Sequence, residues 1–432
     1  MERIRKMDAA ALLRWVMAAF TLAFFAAALL APDRSDMLNG LGRILTLPAQ
    51  LTKDYFLPEL GGLSAALMNT ALVAAICTAL TLIPGAKVNG ATALAWFLTV
   101  GFGTYGMNPL NMLPLILGVL LYAKLRHRPF AEFINLAMFS TGVSPIITQV
   151  LLYYPNAELG PRVTPLGVGL ALAVGAIVGC AMPALCAHSP NFHKGFDLYN
   201  AGPAAGFLCF ALYATLYKAL GVEPPAIAAT LGDGHRLFVN AFLGSMFALC
   251  LAAGLLINRG PGDYRSLLTD SGYKSDFTQK YSAGSCLINL GAYGLYILLY
   301  YNLIGATFTG ATMGAVLCMV CCFANGATPR NTLPILAGYG IVGVLNRLGV
   351  GAFPISGQAL VVGLCYASGL APLAGEFGIL AGIGAGMLHA ALVTSVPAIH
   401  GGFNLYNGGF TAGIVCFLLV PVLEHHRKKA KG

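Results

Sequence analysis

The chain has 432 residues, of which 57% are hydrophobic and only 9% charged, where a soluble domain carries roughly 25% charged residues. With a mean hydropathy of +0.75, this excludes a soluble enzyme, a disordered chain and an ordinary nucleic-acid-binding domain. It leaves a polytopic membrane protein whose solvent is lipid. The net charge of +9 sits largely at the two ends, on Arg3, Arg5 and Lys6 and on Arg427, Lys428, Lys429 and Lys431, which reads as cytoplasmic anchoring.

In chain order, apolar runs fall at about 9–31, 60–84, 90–107, 109–124, 133–154, 165–188 and 196–220. The series then restarts at 236–258, 281–304, 308–325, 329–345, 350–370, 373–396 and 402–423. The first run is expected to be a retained helix rather than a cleaved signal, because more membrane sequence follows it. The pairs 90–107/109–124 and 308–325/329–345 are short and broken by Gly, Asn and Pro, as either two short spans or a re-entrant hairpin would be. The stretch 259–280 is polar and expected to be a loop. The expected fold is all-α, a transmembrane bundle with broken or re-entrant helices and roughly 10–14 spans.

A repeat runs through the series. His193-Lys-Gly-Phe-Asp-Leu-Tyr-Asn200 matches His400-Gly-Gly-Phe-Asn-Leu-Tyr-Asn407 at an offset of 207, with Pro165, Gly175, Gly179 and Pro190 meeting Pro372, Gly382, Gly386 and Pro397. At an offset of 220, Asn69 meets Asn289, Gly90-Ala-Thr92 meets Gly310-Ala-Thr312, and Asn111 meets Asn331. Pro145 to Gln149 pairs with Pro354 to Gln358 at an offset of 209. The expected division is two membrane repeats, 1–224 and 225–432. An odd number of crossings per half puts both basic ends inside and inverts the second half; an even number would also put both ends inside, with parallel repeats, and the inverted arrangement is favoured. The loop at Lys124, Arg126 and Arg128 has three basic residues where its counterpart, Asn346-Arg347, has one.

Catalytic motifs are lacking, and neither enzymatic activity nor a cofactor or metal is expected. Cys318, Cys321 and Cys322 form a C-x-x-C-C run without a second pair or a nearby His, so they read as small packing residues. The candidate chemistry is in the repeated polar blocks: His193, Phe196, Asp197, Tyr199 and Asn200, and His400, Phe403, Asn404, Tyr406 and Asn407. Broken helices at membrane depth expose backbone groups to a solute, and Asn, Tyr and His add neutral hydrogen-bonding groups. Helix caps at the interface are the structural alternative. Asp197 stands where the second copy has Asn404. It is a candidate for ion or proton coupling, or an interfacial partner of Lys194. The amides Asn69, Asn289, Asn111, Asn331, Gln149 and Gln358 need polar partners in lipid and either glue helices or line a path. Gly175-x-x-x-Gly179 and Gly382-x-x-x-Gly386 read as close-packing faces.

Asn108-Pro-Leu-Asn-Met-Leu-Pro-Leu-Ile-Leu-Gly118 resembles the N-P-x-[ST]-G-x-L-I-L-x-G segment of the urea transporter family, and 195–206 and 402–413 resemble its G-L-x-G-[FY]-N-x-x-L-V-G segment. The family's L-P-x-x-T-x-P-F signature is missing; the closest stretch is Val393 to Ala398. The whole chain looks like a member of a bacterial polytopic membrane-protein family of unknown function, distantly urea-transporter-like. The resemblance implies an inverted duplication, a homo-oligomer such as a trimer, and a solute pore in each protomer. The expected function is a channel or facilitator for a small polar or neutral solute in the bacterial inner membrane, both termini cytoplasmic. The alternative is a secondary transporter using Asp197 for Na⁺ or H⁺ coupling. The expected partners are the small-molecule solute and membrane lipid, with no nucleic acid.

Overall fold

The computed structural model describes residues 8–51, 53–224, 226 and 232–429. The basic residues Arg3, Arg5, Lys6 and Lys431 lie outside the described residues, as does residue 225, where the second repeat was expected to begin. The described chain is all helical: a bundle with eight helices long and apolar enough to cross a membrane, and four shorter apolar ones. In lipid every backbone group must find a partner within the protein, which favours helices.

The first half holds α1 (Ala9–Leu30), a surface helix α2 (Met37–Thr46), α3 (Leu63–Thr81), α4 (Gly90–Gly101), α5 (Pro109–Leu125), α6 (Ile134–Ser140), α7 (Ser144–Leu152), α8 (Pro165–His193) and α9 (Ala201–Tyr213). A π-helical turn prolongs α9 to Ala219. The second half holds α10 (Arg236–Asn258), the short α11 (Tyr264–Leu268) and α12 (Phe277–Lys280), α13 (Ala283–Ile304), α14 (Gly310–Val320), α15 (Pro329–Arg347), α16 (Gln358–Ala367), α17 (Ala371–Phe377), α18 (Ile379–Val393) and α19 (Asn407–Lys429). Helices α6 and α7 make one span broken at Thr141–Val143, and α16 and α17 make one broken at Ser368–Leu370.

The repeated motifs are helix starts. Capping boxes join Asn89 with Thr92 and Thr309 with Thr312 at the heads of α4 and α14, and Asn108 with Asn111 and Thr328 with Asn331 at the heads of α5 and α15. Side-chain oxygens here satisfy N–H groups that a helix start leaves free.

Connecting segments gather on two faces. On one, segment 44–57 is a hub: Leu51 N–H donates to Gly402 O (3.0 Å), Asn108 Nδ2 to Ile44 O (3.2 Å), and Gly310 N–H to Asp54 Oδ1 (2.7 Å). On the other, segment 270–280 does the same work. Asn331 Nδ2 donates to Ser271 O (3.3 Å), Tyr273 OH to Lys194 O (3.0 Å), and Asp276 stands against Gly90. Thus Asp54 of the first half meets the head of α14, and Asp276 of the second half meets the head of α4. The broken pairs α4/α5 and α14/α15 run between these faces: α4 starts at the 270–280 hub, and Asn108 at the head of α5 binds the 44–57 hub.

Two glycine faces close the bundle. Gly118 of α5 packs on Gly175 and Gly179 of α8, and Gly338 of α15 packs on Ile383, Gly386 and Met387 of α18. Both Gly-x-x-x-Gly faces are therefore used inside the protomer.

Candidate functional site

Helices α9 and α19 cross where Gly202 meets Gly409; a Cβ on Gly202 would lie 2.5 Å from the Gly409 carbonyl carbon. They run in opposite directions. The far end of α9 reaches the start of the second block, with Tyr213 and Tyr217 ring centroids 6.1 and 5.8 Å from that of Phe403. The far end of α19 reaches the start of the first block, where Lys194 Nζ lies 2.6 Å from Glu424 Oε2. Lys194 thus pairs with Glu424, not with Asp197.

Each block is held by a clasp, and in the first its cause is a proline. Pro190 within α8 has no N–H for the carbonyl of Cys186, four residues back. Asn200 Nδ2 donates to that carbonyl instead (2.8 Å). Asn200 Oδ1 lies 3.1 Å from His193 Nε2, while His193 Nδ1 accepts the N–H groups of Gly195 (3.2 Å) and Asp197 (3.3 Å). Those backbone donors fix the tautomer: Nδ1 is bare and Nε2–H donates to Asn200. The second copy repeats the amide and imidazole contacts: Asn407 Nδ2 donates to the Val393 carbonyl at the end of α18 (3.0 Å), His400 Nε2 lies 3.0 Å from Asn407 Oδ1, and His400 Nδ1 accepts from Asn404 N (3.4 Å). It differs in that Pro397 stands in a 3-10 turn beyond the helix and the Gly402 N–H donates to Pro397 O (3.0 Å) instead of to the ring. His193, His400, Asn200 and Asn407 are thus engaged in closing the two loops.

Below the clasps the halves exchange contacts. Leu198 N–H donates to Gly369 O (3.0 Å) and Leu405 N–H to Gly142 O (2.8 Å). These glycines lie in the breaks of the two kinked spans. Neither could carry a side chain, because a Cβ on Gly369 would run into the Tyr199 ring and one on Gly142 into the Tyr406 ring. Tyr199 OH donates to Cys318 O (2.6 Å) and lies 3.0 Å from Ser368 Oγ. Tyr406 packs edge-on to Phe102 (5.1 Å), and its buried hydroxyl has no partner among the described residues. Asp197 Oδ1 accepts from Tyr199 N (2.9 Å) and Asn404 Oδ1 from Tyr406 N (3.0 Å). Both are buried, and Asp197 Oδ2 and Asn404 Nδ2 have no partner among the described residues. Phe196 stacks on Tyr273 (4.4 Å).

The remaining candidates brace breaks away from the crossing. Asn69 Nδ2 donates to Gly103 O (2.7 Å) and Met107 O (2.8 Å), bridging the gap between α4 and α5. Asn289 Nδ2 donates to Phe323 O (2.8 Å) and Ala327 O (2.9 Å) in the second half. Asn111 and Asn331 complete the capping boxes and donate to Gly106 O (3.1 Å) and Gly326 O (2.7 Å). Gln149 and Gln358 do not correspond. Gln149 lies in α7, after the break, whereas Gln358 opens α16, before it. Their shared Pro-x-x-x-Gln spacing matched composition, not position: by element order Pro145, which opens α7, answers to Pro372, which opens α17, rather than to Pro354, and the expected match of Pro165, which opens α8, with Pro372 is overturned with it.

Sequence reasoning missed the hydroxyl and thiol groups around Tyr199. Tyr105 OH lies 3.4 Å from Tyr366 OH, Tyr301 OH 2.9 Å from Cys365 Sγ, and Ser368 Oγ donates to Cys365 O (2.6 Å). They come from both halves and from separate segments, and their spacing along the chain gives no motif.

A family described as a protein of unknown function (DUF1576) matches residues 33–218 and 259–425. The chain belongs to this family. The DUF1576 match comes in two segments, one in each half, and each contains one His-Asn clasp. No curated protein and no solved structure matches the chain.

Proposed function

We propose that this protein carries a small polar solute across the bacterial inner membrane, as two inverted repeats whose polar blocks enter from opposite faces and meet at the α9/α19 crossing. The observation that carries this reading is the exchange of contacts between antiparallel helices. Leu198 binds Gly369 while Leu405 binds Gly142, the reciprocal pattern that a two-fold relation produces. A two-fold axis that relates antiparallel membrane-crossing helices lies in the membrane plane, and inverted-repeat transporters hold their solute at such an interface.

The geometry favours a carrier over a standing pore. Tyr199, Asp197, Phe403, Asn404 and Tyr406 are at most 3% exposed, and the two tyrosine rings fill the breaks in the kinked spans. A urea-like facilitator remains the second reading, supported by the neutral groups of the blocks. The face with Arg126, Arg128, Lys194, Arg265 and Lys274 is read as cytoplasmic, since Lys and Arg gather there; Ala9, beside Thr278, and Arg427, beside Glu376, share it. The Gly-x-x-x-Gly faces, spent within the protomer, give no support to a homo-oligomer or trimer.

The test is flux into proteoliposomes of urea, acetamide, methylammonium and acetate. A carrier gives saturable flux that an opposing ion gradient can drive uphill. Flux that only follows the solute gradient favours the facilitator, and no flux of any probe counts against both.

A further inference from the structure

Asp197 and Asn404 hold equivalent places, and the comparison isolates what the carboxylate is for. In both copies one side-chain oxygen accepts the backbone N–H two residues on, at 2.9 and 3.0 Å, and the second heteroatom has no partner among the described residues. The second copy therefore acts as an internal control: the turn needs one oxygen acceptor, and an amide supplies it. The charge at Asp197 is surplus to folding. Among the described residues it also has no ion-pair partner, because Lys194 is taken by Glu424. A carboxylate buried in this way is costly to leave charged.

The surroundings decide which ion would use it. Around the carboxyl stand Gly369, whose Cβ would lie 2.7 Å from Oδ1, and Gly413, whose Cβ would lie 3.5 Å from Oδ2. From its own segment come His193, whose Nδ1 takes the Asp197 N–H, and Tyr199, whose hydroxyl is spent on Cys318 O. Beyond Phe196 lie Tyr273, Lys274 and the Lys194–Glu424 pair. A hard metal cation asks for about six oxygen ligands. Among the described residues no group of three or more His, Cys, Asp and Glu side chains could hold a metal ion, so a cation here would rest on Asp197 and neutral oxygens alone. A proton asks for one oxygen.

We propose that Asp197 is a proton carrier: Oδ2 takes a proton from hydronium on one face, the neutral acid crosses the closed state seen here, and the proton returns to water on the other face, so that H⁺ is the coupled ion. This rests on the carrier reading above. The full chain in lipid nanodiscs is titrated between acid and alkaline buffer while the carboxylic-acid C=O stretch is followed by infrared difference spectroscopy. A pH-responsive band is expected in the native chain, unchanged when Na⁺ is replaced by choline, and lost in Asp197→Asn, which should melt at the native temperature. Asn404→Asp should add a second such band. A band that persists in Asp197→Asn, a band that moves with Na⁺, or an Asp197→Asn chain that fails to fold would each overturn the proposal. If the band behaves as expected but solute drives no proton flux in proteoliposomes, the carrier reading fails while the proton site stands.

Discussion

Tyr199 donates its phenolic hydrogen to the carbonyl of Cys318, 2.6 Å away, whereas Tyr406, its counterpart in the second block, buries its hydroxyl against Phe102 with no partner among the described residues. The same side chain at two equivalent points thus meets a polar neighbourhood in one half and an apolar one in the other. Tyr199→Phe should lose stability by about 0.5–1.5 kcal/mol, because the buried Cys318 carbonyl keeps only the weak thiol donor of Cys321. Tyr406→Phe should be neutral or stabilising, because it removes an unpaired polar group. Paired thermal melts in detergent check both. Equal losses would remove the asymmetry.

The Asn-His clasps give a second expectation. Asn200→Leu leaves the Cys186 carbonyl and the His193 Nε2–H without partners, and Asn407→Leu does the same to Val393 and His400. Each should lower stability by about 1–3 kcal/mol per orphaned group. The readout is folded yield and melting temperature. A variant that folds normally and loses only flux would return the amide to the solute path.

Gly142 and Gly369 admit the tyrosine rings of the opposite half. Gly142→Ala should cost about 1–3 kcal/mol or more through overpacking, and the double variant with Tyr406→Leu should recover most of it. The signature in a double-mutant cycle is strong non-additivity; additive losses would mean that the two sites are independent.

The loop at 259–282 carries a pH expectation. Burial pushes the Asp270 carboxyl up, but hydrogen bonds from Lys280 (2.5 Å), Tyr281 (2.7 Å) and the Gly272 N–H (2.8 Å) outweigh it and hold the group below the usual carboxylate value. A group lowered on folding lends stability above its unfolded value and loses it as pH falls through the folded one. Amide protection in 270–281, corrected for the intrinsic exchange rate at each pH, should therefore fall on acidification below the ordinary carboxylate range. Asp270→Asn should show low protection already at neutral pH and change little with acid.

The sequence displayed the fold well and the site only in outline. All fourteen apolar runs fall on helical segments among the described residues, and α10 keeps the limits expected for it, 236–258. Lipid makes this possible, because a span has to be apolar along its length. The surface helix α2 was missed because a short amphipathic helix leaves no long apolar run. The blocks at 193–200 and 400–407 stood out by repetition, but their roles were not readable. That Asn200 answers the missing N–H of Pro190 depends on a loop folding back onto α8, which spacing alone does not reveal. The Gln149/Gln358 pairing failed because a shared Pro-x-x-x-Gln spacing falls on different arms of the two broken spans.

Arg126 and Val350 test the central claim most directly, because they follow the equivalent helices α5 and α15. Arg126 is tied to the 81–90 side through Ala131, which lies beside Gly85, and Val350 to the 44–57 side through the Thr307 N–H, which donates to Ser356 O, and Asp54. Cysteines are placed at each in turn on a Cys180→Ala background, the other ten native cysteines being buried, and intact cells are exposed to a membrane-impermeant maleimide. Inverted repeats predict that the cysteine at position 350 reacts in intact cells and the one at 126 only after permeabilisation. Reaction of both from the same side would contradict the inverted arrangement and, with it, the meeting of the two blocks at one crossing.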